Sequence, residues 1–126
     1  MQVTAKYVVR YCSCFGVSVL SQQVDFVADI AKMLKAFVRC EMYSVVDRLA
    51  NATSKEAVEM ALYEALRAAR SASVEGRSLC EKRSGEKVRP YVASEEAIST
   101  LLKKLDEDLV SGLDLVRKIV LKALSM

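Results

Sequence analysis

Between about Gln22 and Cys40, the apolar residues Val27, Ile30, Ala31, Leu34, Phe37 and Val38 recur at three- and four-residue spacing. That period lines side chains along one face of an α-helix, and a helix with one apolar face must bury it against another element. The same period returns further along the chain. Val45, Val46, Leu49 and Ala50 can share a face in a two-turn helix from Ser44 to Ala50, with Asn51 suited to the break that follows. Thr53-Ser54-Lys55-Glu56 has capping-box spacing and predicts a helix opening at Thr53. This helix is expected to run to about Ser71 and bury Ala57, Val58, Ala61, Leu62, Ala65, Leu66 and Ala69. Its small alanines allow close approach, which suits a central helix.

Between Ser71 and Ala93 the periodicity lapses, and Gly76, Gly85 and Pro90 occur among charged residues. That stretch reads as a surface connection, either a basic loop or a small hairpin. Ser94 followed by Glu95 and Glu96 is a helix start, with Ile98, Leu101, Leu102 and Leu105 on the buried side. The acidic run Asp106, Glu107, Asp108 leads into a last helix whose inner residues are expected to be Leu109, Leu113, Val116, Val120 and Leu124. Lys118 and Lys122 sit near its carboxyl end, where the dipole favours cations. Gly112 marks a kink or a close contact. Leu115, Ile119 and Leu121 widen the apolar surface beyond one stripe, which fits either contact with a neighbouring subunit or deep burial.

With only four Gly and one Pro in 126 residues, the chain has few of the turn residues that sheet folds need. The expected fold is all-α: a compact bundle of about four to five helices, with the insertion between residues 71 and 93. A chain of this length with 52% hydrophobic residues suits one core, so residues 1–126 are expected to form a single domain. Residues 3–11 alternate apolar and polar, as a short strand or extended arm would, although helix also fits. Residues 1–20 are treated as an N-terminal arm or extra element.

The chain has no histidine, the most versatile general base, and no phosphate-cradling Gly-rich loop, nucleophile elbow or zinc-protease helix. No catalytic residue, cofactor or metal is therefore assigned. Asp106, Glu107 and Asp108 sit where carboxylates cap a helix, a use that outweighs cation binding. Cys12, Cys14, Cys40 and Cys80 lack paired C-x-x-C spacing, and without histidine a zinc site is not expected. Buried reduced thiols and a disulfide of the kind found inside hyperthermophile cells both fit them. No apolar run reaches the roughly 18 to 20 residues of a membrane span. The apolar stretch after Lys6 and Arg10 is not followed by a small-x-small cleavage pattern, so a cytoplasmic protein is expected.

The formal charge of +3 permits contact with phosphates without requiring it. Lys32, Lys35 and Arg39, at i, i+3 and i+7, form a stripe on the first helix, and Arg67 and Arg70 lie one turn apart on the long helix. The connection adds Arg77, Lys82, Arg83, Lys87 and Arg89 against Glu75, Glu81 and Glu86. Lys32, Lys35, Arg39, Arg67, Arg70, Arg77, Lys82 and Arg83 are the candidate nucleic-acid contacts, with an ordinary solvated face as the alternative. Binding through them would be largely independent of base sequence. Tyr43 and Tyr91 are the aromatic candidates for base stacking, but a half-buried packing role suits each better.

The segment Tyr43-Ser44-Val45-Val46-Asp47-Arg48-Leu49-Ala50-Asn51-Ala52, followed by Ser54-Lys55-Glu56-Ala57-Val58 and Leu62-Tyr63-Glu64-Ala65, resembles the small subunit of the archaeal type I-A (Apern-type) CRISPR Cascade effector complex. The resemblance covers about a third of the chain and rests on helix-forming residues around a Tyr-Ser and an Asp-Arg pair. It implies a helical, non-catalytic protein lying along the belly of a guide-RNA filament. Such a protein would contact Cascade backbone subunits, guide RNA and the backbone of single-stranded DNA, whether target or displaced strand, and steady the R-loop. Base pairing by the guide would read sequence. Some members carry a β-rich insertion between helices, and the connection from Ser71 to Ala93 sits where one would occur. The first twenty residues have no counterpart in the pattern.

A helical coat or filament protein of an archaeal virus explains the same composition, with self-association through the C-terminal helix. Polymerisation without guide-RNA subunits would distinguish it. A helical transcription regulator ranks last, for want of a basic recognition helix.

Overall fold

The computed structural model describes residues 25–126, so the expected arm over residues 1–20, with Cys12 and Cys14, lies outside the described residues. The Asp25 carboxylate accepts from the Ala28 amide at 3.2 Å and opens α1, Phe26–Arg39. Ile30, Met33, Leu34 and Phe37 form its buried face. The helix closes in a Schellman turn: the Met42 amide donates to Phe37 O and the Glu41 amide to Val38 O, both at 2.9 Å. Glu41 holds the left-handed position of that turn, at φ 58°.

Helix α2, Ser44–Ala50, has the expected bounds and buries Val45, Val46 and Leu49. Helix α3, Lys55–Val74, starts one residue later than the capping box implied. Ser54, in extended conformation, accepts from the Ala57 amide at 3.2 Å, so Ser54 and not Thr53 is the cap. Glu56 is thereby the second helical residue, where it opposes the dipole without completing a box. The far end also differs from expectation. Ala72 is fully buried, and the helix continues until Gly76, at φ 69°, closes a second Schellman turn with the Arg77 amide donating to Ala72 O.

The connection is a small hairpin. Strands β1, Cys80–Glu81, and β2, Lys87–Val88, pair antiparallel with Cys80 opposite Val88 and Glu81 opposite Lys87. Its tip is held by Lys82 N to Glu86 O and Gly85 N to Lys82 O, both at 2.8 Å. Fully buried Val88 anchors it to the bundle.

Helices α4, Glu95–Glu107, and α5, Leu109–Ser125, complete an all-α bundle with five helices among the described residues. Ser94 caps α4 through the Ala97 amide at 3.0 Å, and Asp108 caps α5 through the Ser111 amide at 3.2 Å. Gly112 provides the close contact. A Cβ there would lie 2.6 Å from Leu105 Cδ2 and 2.8 Å from Leu105 Cα. This approach turns the row Gly112, Val116, Ile119, Ala123 inward, while Leu109 and Leu124, expected inside, are exposed.

Buried residues from all five helices form one cluster. Helix α1 packs on the other four, most extensively on α5, and takes the middle position expected of α3. No helix among the described residues is long and apolar enough to cross a membrane.

Candidate nucleic-acid interface

The polar face of α1 is less open than its stripe of cations implied. Asp29 is the one charged residue buried among the described residues, and its carboxylate accepts from the Tyr91 hydroxyl and, at 2.8 Å, from the Ser94 amide. Burial works to raise its pKa, yet those hydrogen bonds and the nearby Lys32 charge outweigh it and hold the carboxyl below its ordinary value. The Lys32 ammonium also lies 5.7 Å from the Tyr91 ring centroid. Lys35 Nζ donates to the Met126 carbonyl at 2.6 Å, and Arg39 pairs with Glu86 of the hairpin. All three stripe residues thus have partners within the fold.

The other candidates divide in the same way. Arg70 pairs with Glu95, Arg77 with Glu75 at 2.6 Å, and Lys82 with Glu86 at 3.5 Å. The Arg77 guanidinium, by hydrogen bond first and then by charge, holds Glu75 below its ordinary pKa. Arg67 and Arg83 are exposed and have no carboxylate partner among the described residues. Tyr91 is committed through its hydroxyl to Asp29, whereas Tyr43 has 45% of its surface exposed.

The hairpin gathers what α1 does not. Residues 77–89 carry Arg77, Lys82, Arg83, Lys87 and Arg89 against Glu81 and Glu86. Arg77, Lys87 and Arg89 line one depression, and Arg39, Lys82 and Arg83 line a second together with Glu41 and Glu81. A disulfide between Cys40 and Cys80, with Cα atoms 5.9 Å apart, ties the end of α1 to β1. It decides the state of two of the four thiols. No Cys, Asp, Glu or His cluster suited to a metal ion occurs among the described residues.

Helical spacing groups the cations of one helix but cannot pair them with distant carboxylates, since Arg39 and Glu86 stand 47 residues apart. Asp29 went unnoticed. Its one legible signal was its place four residues before Met33, in register with the buried face of α1.

A helical bundle carrying a basic hairpin is here a CRISPR-associated protein: residues 33–125 match the family model described as CRISPR-associated protein (Cas_Csa5). The match runs from the middle of α1 through α5, and the chain belongs to the Cas_Csa5 family, in agreement with the small-subunit resemblance of residues 43–65. No curated protein and no solved structure matches the chain.

Proposed function

We propose that the protein is a non-catalytic small subunit of a CRISPR RNA-guided interference complex. It contacts the sugar-phosphate backbone of target or displaced DNA and neighbouring Cascade subunits, and so stabilises the R-loop. The observation that carries this reading is the hairpin. Within residues 77–89 five Lys and Arg face two Glu, and the disulfide to α1 holds these cations on one pinned element. Such a surface reads backbone charge and shape, while the guide supplies sequence by base pairing. Family membership over residues 33–125 favours this reading over a viral coat protein.

The test is fluorescence anisotropy of labelled single-stranded and duplex oligonucleotides of unrelated sequence, at low and at physiological salt. Binding indifferent to sequence and weakened by salt is expected, with a further loss when Lys87 and Arg89 are both changed to Glu. Absence of binding at low salt, together with no association with guide-RNA-loaded backbone subunits, would overturn the reading.

A further inference from the structure

The cleft beside the disulfide has an unusual charge arrangement. Arg39 projects from the end of α1 and Lys82 and Arg83 from the hairpin tip, with Cys40 and Cys80 between them and Glu41 and Glu81 also on the lining, so that three cations stand there against two carboxylates. Glu86, on the opposite side of the tip, serves two of these cations at once, pairing with Arg39 and, at 3.5 Å, with Lys82. Arg83 has no carboxylate partner among the described residues.

The geometry points to a phosphodiester subsite in this cleft, in which Arg39, Lys82 and Arg83 receive a backbone phosphate, Glu86 holds that place in its absence, and the Cys40–Cys80 bond keeps the two walls together. It rests on the nucleic-acid reading above and specifies where and how the backbone is held. A carboxylate shared by an arginine and a lysine has the charge and acceptor oxygens that a phosphate presents to the same donors. Both pairs are solvent-exposed, with Arg39 and Glu86 side chains 40% and 49% accessible, so they are weak and exchangeable.

The disulfide matters because so little else joins the walls. Each strand has two residues, and a two-stranded hairpin of that size is marginal alone. When a dithiol reduces the bond, the S–S bond breaks and two thiols form, while the reagent closes into its own disulfide, supplying both electrons and both protons. The hairpin then keeps its Val88 anchor, but Lys82 and Arg83 are no longer fixed relative to Arg39. The preorganisation that favours binding is lost.

The experiment uses the full chain and a fluorescein-labelled single-stranded oligonucleotide, with anisotropy read across a salt series and circular dichroism confirming the fold of each variant. Glu86→Gln is expected to tighten binding about 2- to 5-fold by releasing two cations. Arg83→Ala is expected to weaken it and to flatten the log–log salt slope by about 0.7. Dithiothreitol is expected to weaken binding by the wild type and to have no effect on the Cys40→Ser/Cys80→Ser variant. Wild-type binding that neither Glu86→Gln nor Arg83→Ala alters would overturn the cleft and leave the proposed function standing. A dithiothreitol effect that persists in the double serine variant would overturn the role of this disulfide, and a wild type that binds no oligonucleotide at any salt would overturn both readings.

Discussion

The carboxylate of Asp29, buried in α1, accepts the Tyr91 hydroxyl just ahead of α4, 62 residues away in sequence. The same carboxylate takes the Ser94 amide at the cap of α4, so one side chain fastens the entry of α4 to the side of α1. Replacing Asp29 with Ala leaves a part-buried amide and hydroxyl without their acceptor and is expected to cost about 1–2 kcal/mol in urea denaturation. Tyr91→Phe removes one bond and is expected to cost about 1 kcal/mol. The two losses should combine to less than their sum, because they delete the same hydrogen bond.

Asp29 also gives a pH signature. Its folded-state pKa lies below the ordinary aspartate value, so its contribution is fully present above that ordinary value and is lost as pH falls through the lower folded value. Stability measured by denaturant titration from neutral pH into the acid range should therefore fall in that window. The fall should be shallower in Asp29→Asn; an identical acid profile for the two proteins would contradict the assignment.

Gly112→Ala tests the packing of α4 against α5. In an exposed helix, Ala would gain about 1 kcal/mol over Gly. Here the added Cβ meets Leu105 Cα at 2.8 Å, a backbone atom that no rotamer change can move aside. The helices must separate, and a net loss of about 1–3 kcal/mol is expected by thermal or urea denaturation. Adding Leu105→Ala should not restore stability, since the clash with the backbone of residue 105 remains.

Loss of the Cys40–Cys80 bond frees a loop spanning 40 residues of sequence. Cys40→Ser/Cys80→Ser is expected to lower unfolding free energy by roughly 2–4 kcal/mol relative to the oxidised protein. The oxidised wild type should lose a similar amount on addition of dithiothreitol, and the variant should lose none.

Glu41 occupies the left-handed position that closes α1, at φ 58°, where a side chain costs about 1–2 kcal/mol relative to glycine. Glu41→Gly is expected to raise the denaturation midpoint, the relieved strain exceeding the added freedom of the unfolded chain. A lower midpoint would mean that the Glu41 side chain contributes interactions that outweigh its backbone strain.

The helices were legible because their signals are local. The spacing of Ile30, Leu34 and Phe37, the run from Ser44 to Ala50 and the cap at Ser94 each lie within a few residues of what they specify, and the structure has all three. Where two caps stood side by side, at Thr53 and Ser54, local pattern chose the wrong one, since the chain entering from α2 determines which hydroxyl meets the free amide. The inner face of α5 was likewise set from outside the helix, by the approach of Gly112 to Leu105.

Legible in the sequence, therefore, were the helical class, the stretches that form α1 to α5 and a basic insertion between residues 71 and 93, all properties of short windows. Which charges are spent and which remain open depends on how the helices and the hairpin pack. Arg39 meets Glu86, Lys35 meets the Met126 carbonyl and Cys40 meets Cys80 because packing brings together residues 40 to 91 positions apart. Helical period carries no information about such pairs: a charge stripe on one helix is the same sequence whether it faces water or a returning segment of chain.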